Sequence, residues 1–491
     1  MRNSRDDADR LLAKRALANL FADARGVTMK VGQLFAGNSD DTPFQALVES
    51  IEPLPLRIMR PVLEADLGKP VSQVFQSLDE AAAAASLGQV HHAVLAGDGE
   101  VAVKIRYPDI ADAVDAELRI AGMVPGAGPV KRWGFNLEAY RNTLRGNMLR
   151  ELDYRSEAER QKRFAQAVQV PGLRVPEVFD ALCGQRVLVQ SWESGVRLAE
   201  AANWSKKDRL LIGRTLLLTL FKSLFVAGEV HGDPHPGNYL FRHDPPGQPL
   251  VVLLDFGCTV TVAEPRRLAL LKLILACREG AELAPLNGFA AMGFDADKLS
   301  YIADALPALC RSLFRPFLLE RPFDVGEWRV GEDIAALLGE QRWWFRSAGP
   351  ADLFLLMRAF QGVAAQLQTL DVRLPWWPLL EQAVGETIIA QARRLESSAD
   401  GSPVSSTLKP LANSLRVRVS EGAETRVALT MPALAALDLE NLMPEEVLER
   451  IRSSRQVDMR AIAKRILASG VAPQELFTFQ DGVKHYRVWL E

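Results

Sequence analysis

The spacing of hydrophobic and polar positions changes several times along the chain, and each change marks an element. From about residue 6 to 36, Leu11, Leu12, Leu17, Leu20 and Phe21 recur at helical spacing and predict an amphipathic helix. A second helical region is predicted from Pro43 to Leu67, closed by the stop signal Gly68-Lys69-Pro70. The period then shortens. Two apolar runs, Val90 to Leu95 and Glu100 to Ile105, flank Ala96-Gly97-Asp98-Gly99 and predict a β-hairpin. A long charged helix is predicted over roughly Leu137 to Ala167, with strands at Arg174-Val175-Pro176 and Arg186 to Gln190. From about 197 to 395 the pattern is chiefly helical, interrupted by a strand pair around Tyr239 to Phe241 and Val251 to Leu254. Glu396 to Pro403 reads as a linker, and the remainder from about 408 to 491 as an appended, mostly helical segment.

These elements outline an α+β, bilobal protein-kinase-like fold: a small β-rich lobe, a larger helical lobe, an N-terminal helical extension and a C-terminal appended segment. The corresponding boundaries are 1–73 for the extension, 74–193 for the small lobe with inserted helices, 194–395 for the helical lobe, 396–407 for the linker and 408–491 for the final segment.

Composition narrows this picture. At 491 residues the chain is too long for one ordinary core, so two or three units are expected. A formal net charge of -3 provides no general basic field, which argues against nucleic acid as a partner. The four cysteines are scattered without metal-ligand or disulfide spacing, as suits a reducing cytoplasm. The most apolar run, Leu210 to Val230, is broken by Arg214, Lys222 and Glu229 and reads as a buried helix. The expectation is a cytoplasmic protein with no transmembrane anchor, at most peripheral to an inner membrane. Trp343, Trp344, Trp376 and Trp377 would suit a lipid-accessible groove, but large aromatics in helical regions are more often core.

The strongest chemistry lies in His231-Gly232-Asp233-Pro234-His235-Pro236-Gly237-Asn238 and Asp255-Phe256-Gly257. Phosphoryl transfer needs oxygen ligands for metal ions that bridge phosphates, and a carboxylate to orient the attacking hydroxyl. Asp233 suits the catalytic position, and Asn238 and Asp255 suit magnesium. Either turn alone would be an ordinary Gly/Pro-rich loop; the pair, joined by a strand running into Asp255, is more specific.

Val101-Ala102-Val103-Lys104 places Lys104 on the second hairpin strand, where an ammonium can reach ATP phosphates. A lone lysine on a strand is common; its position upstream of the Asp-Asn loop gives it weight. Its carboxylate partner is expected from Glu151-Leu152-Asp153-Tyr154-Arg155-Ser156-Glu157, where 153 and 157 share a face of a regular helix and 151 lies about 160 degrees from 153. A solvated charged helix would carry the same residues. Where a kinase has a glycine-rich phosphate cover, this chain has Ala81 to Ala85 followed by Ser86-Leu87-Gly88-Gln89-Val90-His91. Polyalanine is ordinarily a helix former, but directly before the hairpin it reads as a modified nucleotide loop.

Taken together these residues resemble the UbiB/AarF/ADCK atypical kinases. Met29-Lys30-Val31-Gly32-Gln33 is similar to that family's KxGQ motif, Ala83 to His91 to its alanine-rich loop and Glu151-Leu152-Asp153 to its ExD motif. The likeness runs in family order from about residue 10 to 390. It implies ATP and Mg2+ as cofactors. Ala83, Ala84, Ala85 and Ser86 would cover the nucleotide, and Lys104 would meet its phosphates, paired with Glu157. Gln190 to Glu193, Trp192 among them, would form the hinge that binds adenine through its backbone. Asp233 would be catalytic, with Asn238 and Asp255 on the metal. Lys30, Gly32 and Gln33 would sit on an extension folded over the site, Lys30 meeting Glu151 and Asp153 and closing the peptide groove. The chain departs from the pattern at Gly232, where alanine is common, and in having no hydrophobic C-terminal helices or recognisable counterpart of its last segment.

The expected function is a Mg-dependent atypical kinase or ATPase acting on or for a small molecule or isoprenoid-quinone precursor, with a biosynthetic protein partner, rather than on protein substrates. Two readings compete. One is an ATP-gated, non-catalytic binding module or chaperone. The other is a small-molecule kinase like the aminoglycoside/choline phosphotransferases, whose HGDxHxxN loop resembles residues 231–238.

Overall fold

The computed structural model describes residues 53–111, 137–395 and 412–491, apart from Ser86, Asp98, 282–283, 413, 423, 455–456, 460, 463–465 and 467–472. The expectations placed on residues 6–36, on Lys30, Gly32 and Gln33, on 43–52 and on the linker therefore lie outside the described residues.

The small lobe is one antiparallel sheet. Its strands are β1 (Phe75–Ala84), β2 (Gly88–Leu95), β3 (Glu100–Arg106) and, after the short β4 (Leu173–Arg174) of the other lobe, β5 (Val187–Ser191), in the order β1-β2-β3-β5. Strand alternation decides its faces. Val101, Val103 and Ile105 are fully buried with Leu56, Met59 and Leu63 of helix α1 (Leu56–Leu67). Helix α1 starts only after Pro55, so the helix expected from Pro43 does not include residues 53–55. It ends as expected at Gly68, whose φ of 67° lets its N–H reach the Glu64 carbonyl at 2.9 Å.

The long helix expected from 137 to 167 is two helices, α2 (Leu137–Glu151) and α3 (Tyr154–Ala167). Asp153 breaks it. Its backbone is extended, and its carboxylate accepts from the Arg155 and Ser156 amides at 3.2 and 3.3 Å and from the Ser156 hydroxyl at 2.7 Å. Asp153 is thus a helix cap one turn before Glu157, its carbonyl accepting from the Glu157 N–H at 3.1 Å, and the regular helix expected to link 151 to 153 is what the break removes.

In the large lobe, α4 (Lys206–Lys222) runs on through a widened π turn to Ala227. Among the described helices it alone is long and apolar enough to cross a membrane, yet 61% of its apolar window is buried inside the lobe. Two hairpin-like pairs hang beside it: β6 (Glu229–His231) with β9 (Thr259–Thr261), and β7 (Tyr239–His243) with β8 (Pro249–Leu253), to which β4 adds in parallel. Helices α5 (Glu264–Glu279), α6 (Leu353–Thr369) and α7 (Trp376–Arg394) complete the lobe with shorter helices between them. Trp344, Trp376 and Trp377 are buried, Trp376 packing against Phe221, Phe317, Phe323 and Trp328, so these tryptophans are core.

The final segment corrects the helical expectation. It is a four-stranded antiparallel sheet of β10 (Ser414–Glu421), β11 (Glu424–Pro432), β12 (Gln474–Asp481) and β13 (Lys484–Leu490), in the order β11-β10-β13-β12, with helix α8 (Glu445–Ser454) between the hairpins. Leu415, Val417 and Val419 alternate with Arg416, Arg418 and Ser420, and Gly422 and Gly482 supply the positive φ of the turns. Leu415, Ile451, Phe477 and Leu490 form its own core.

A buried amide ties the first described residues to the sheet. Gln89 accepts from the Leu54 N–H at 2.7 Å and donates to the Leu54 carbonyl at 2.8 Å. It also meets His91 Nε2 at 2.8 Å, while His91 Nδ1 donates to the Asp79 carbonyl at 2.8 Å. The carbonyl can only accept, which fixes the proton on Nδ1 and makes Nε2 the acceptor from Gln89. Burial lowers the pKa of His91, keeping it neutral for this role. Gln89→Ala leaves Leu54 and His91 unpaired and is expected to lower the opening free energy of the β1–β2 amides by about 3 kcal/mol, read as faster hydrogen exchange there; unchanged exchange would show that the clamp contributes nothing.

Candidate nucleotide and metal site

Strand β3, helix α3 and the loop after β8 converge on one ammonium. Lys104 Nζ lies 2.8 and 3.0 Å from the two oxygens of Glu157 and 3.0 Å from Asp255 Oδ2. Burial disfavours the charge on Lys104, but the Asp255 and Glu157 carboxylates outweigh it and hold the ammonium well above its ordinary range. Glu157 is almost wholly enclosed, and burial pushes its proton affinity up against the opposing pull of Lys104. Tyr154 completes the wall, its ring centroid 4.8 Å from the Lys104 nitrogen. Gly88 allows this closeness, because a Cβ there would lie 2.3 Å from the Ile105 carbonyl oxygen and 2.7 Å from the Tyr154 hydroxyl.

The loop around Asp255 is held from three sides. Its Oδ1 accepts from the Gly257 N–H at 2.8 Å, folding the turn back on itself. His231 Nε2 bonds to the Asp255 carbonyl, which makes Nε2 the protonated nitrogen, and burial keeps the ring neutral by lowering its pKa. Arg160 donates to the Phe256 carbonyl at 3.1 Å and the Gly257 carbonyl at 3.3 Å. Phe256 is fully buried against Phe164 and His231. A Cβ at Gly232 would sit 3.1 Å from Cys258 Sγ, so glycine at this position matches the neighbouring sulfur.

Asn238 is the last residue of a short 3-10 turn, and its carbonyl accepts from the Leu254 N–H at 3.0 Å, which sets it beside the residue preceding Asp255. Its side-chain amide donates to the Asp233 carbonyl at 2.9 Å. The Asp233 carboxylate is buried and accepts from Arg358 of α6 at 2.6 Å. Lys104, Glu157 and Asp255 are therefore in direct contact, and Asp233 and Asn238 are joined to them through the β7–β8 hairpin.

The other expected residues sit as follows. Ala83 and Ala84 are the last residues of β1, and the Ala85 amide closes the turn on the Gly88 carbonyl at 2.8 Å; the cover is a strand end rather than a free loop, and Ser86 lies outside the described residues. Gln190 points its side chain at Gln161 and the Leu254 carbonyl, linking β5 to the residue before Asp255. The Trp192 amide is committed to the Glu100 carbonyl at 3.0 Å, and its ring lies exposed against His92. Glu151 is buried at the end of α2 and lies beside Gly257, whereas the Asp153 carboxylate is committed to capping α3. Arg160, Arg358 and Tyr154 were not foreseen. Arg160 is three residues beyond Glu157 on the same helix face, a spacing that offered a signal; Arg358 offered none locally.

The geometry defines the class: a β-sheet lobe and a larger helical lobe form a protein-kinase-like fold. More particularly, residues 46–283 match the ABC1 atypical kinase-like domain. The ABC1 family protein C10F6.14c of Schizosaccharomyces pombe is 28% identical over 342 residues, covering 66% of this chain and 60% of that protein. The mitochondrial atypical kinase COQ8B of Danio rerio is 31% identical over 250 residues, covering 49% of this chain and 40% of that protein. The chain thus spans less than two thirds of these relatives' length. Among solved structures, Rv3197 of Mycobacterium tuberculosis in complex with erythromycin aligns with a TM-score of 0.52 at 26% identity, over 77% of this chain and 98% of that one.

Removing the ammonium exposes the electrostatics. In Lys104→Met, Glu157 stays buried without its cation, at a cost of about 3 kcal/mol near neutral pH. A buried carboxyl with a raised pKa binds its proton more tightly folded than unfolded, so stability is retained at low pH and lost as pH rises through the folded value. Urea unfolding of Lys104→Met at pH 5.5 and pH 8 is expected to show the larger deficit relative to the parent at pH 8. An equal deficit at both would place the ion pair outside the energetics of the fold.

Proposed function

We propose that this chain is a Mg2+-dependent, ATP-binding atypical kinase or ATPase that acts on or for a small molecule or isoprenoid-type lipid rather than on proteins. The observation that carries the reading is the contact of Lys104 with both Glu157 and Asp255, beside the loop that presents Asp233 and Asn238. A protonated lysine fixed by a helix carboxylate is a ready partner for nucleotide phosphates. Among the described residues no three His, Cys, Asp or Glu side chains gather as a protein-only metal cage. The Asn238 amide oxygen and the Asp255 carboxylate are instead a sparse, oxygen-only pair. That donor set fits magnesium, which keeps water and phosphate oxygens in its remaining positions. When bound there, the ion would neutralise charge on the phosphates. Asp233, anchored by Arg358, would orient the attacking group.

The helical lobe favours an apolar ligand as well. A cavity of about 710 Å³ opens there, lined by Leu270, Ile274, Phe289, Phe317, Trp328 and Phe360 among others, with Arg329 and Glu332 also on its wall. Rv3197, at 26% identity, has been solved with the macrolide erythromycin. This supports a second reading, in which slow nucleotide turnover gates the binding of a hydrophobic molecule.

Titration with a fluorescent ATP analogue is expected to show Mg2+-dependent binding that Asp255→Asn weakens at least about tenfold. Undiminished binding in that variant would overturn the metal assignment. Turnover measured with labelled ATP, with and without polyprenyl-phenol lipids, separates the two readings. A phosphorylated small molecule establishes a kinase; phosphate release without such a product establishes an ATPase or gate.

A further inference from the structure

Helix α6 lies outside residues 46–283, yet one of its faces grips the catalytic loop. Arg358, Gly362 and Gln366 recur at a spacing of four and so share that face. Gln366 donates to the Pro234 carbonyl at 2.9 Å. At Gly362 the helix and loop touch so closely that a Cβ would come within 2.1 Å of the Pro234 ring. Arg358 Nη2 donates to Asp233 Oδ1 at 2.6 Å. Three contacts, successive turns of one helix, therefore fix Asp233 and Pro234 as a unit.

The arginine is not an ordinary strut. Its side chain and that of Asp233 are 18% and 13% exposed, so the pair is shielded from water. Among the described residues Asp233 is its hydrogen-bond partner, while the other amino group, Nη1, is buried without one. Buried guanidinium donors are normally all satisfied. Here the side chain is committed to the one carboxylate that the phosphoryl-transfer reading places at the reacting centre.

We propose that Arg358 is the positioning residue for Asp233: its guanidinium sets the orientation of the catalytic carboxylate from the helix face that also holds Pro234. The proposal rests on the kinase or ATPase reading given above. A lysine could keep the charge but not the planar donor geometry that aims one oxygen while leaving the loop backbone to Gly362 and Gln366. Misorientation of a reacting group affects turnover far more than nucleotide affinity, because the Lys104, Glu157 and Asp255 contacts that face the phosphates are untouched.

The test uses the full chain and steady-state Mg·ATP turnover. Arg358→Ala is expected to lower kcat about tenfold to a hundredfold with KM changed less than about twofold. Arg358→Lys should fall between the two. Millimolar guanidinium should restore part of the activity of Arg358→Ala but none in Asp233→Asn. In the Asp233→Asn background, removing Arg358 should cost nothing further. An equal loss in both backgrounds, a loss confined to KM, or failure of guanidinium to restore turnover would each overturn the proposal; a direct titration of the nucleotide shows whether a variant still folds its site, and Arg358→Lys replaces Arg358→Ala if it does not. Absence of turnover in the parent protein would instead remove the enzymatic reading itself, and this inference with it.

Discussion

The structure hangs on a buried cation between two carboxylates. Lys104 belongs to the small sheet, Glu157 to the helix behind it and Asp255 to the loop from the helical lobe, so one ammonium holds three elements from two lobes. The arrangement is not a gift of proximity. Taking each charge out of water is costly, and only the presence of two anions around one cation makes the cluster viable. In the ATP-binding function proposed above, nucleotide phosphates would enter this same field.

Much of this could be seen in the sequence because it is encoded locally. The hairpin around residues 88–106 has its period and turn in one stretch, and Lys104 falls on the strand face opposite Val103 and Ile105. The loops at 231–238 and 255–257 are punctuated by glycine and proline, and β7 and β8 bring them together. What was hidden depends on partners remote in sequence. The break at Asp153 is a cap signal buried in a run of charged residues that also suits continuous helix. Gln89 and His91 look like part of a nucleotide loop, but their side chains hold Leu54. Arg358 reaches Asp233 across 125 positions, beyond any local pattern.

The final sheet was misread for a related reason. Its alternation is carried by valine and leucine set against arginine, and between the two hairpins lie alanine- and leucine-rich stretches of strong helical preference. Over so short a span both periods are present. Strand pairing prevails because β10 and β13 become central strands, each bonded on both edges, which no residue-by-residue preference can anticipate.

Helix α3 carries two of the grips described above on neighbouring turns: Glu157 on Lys104 and Arg160 on the Phe256 and Gly257 carbonyls. The lysine and the Asp255 loop consequently share a single mechanical coordinate. Moving the helix outward as a rigid rod would withdraw the lysine's partner and unclasp the turn in one stroke. Neither contact would be lost without the other, and a ligand that steadied one end of the rod would steady both.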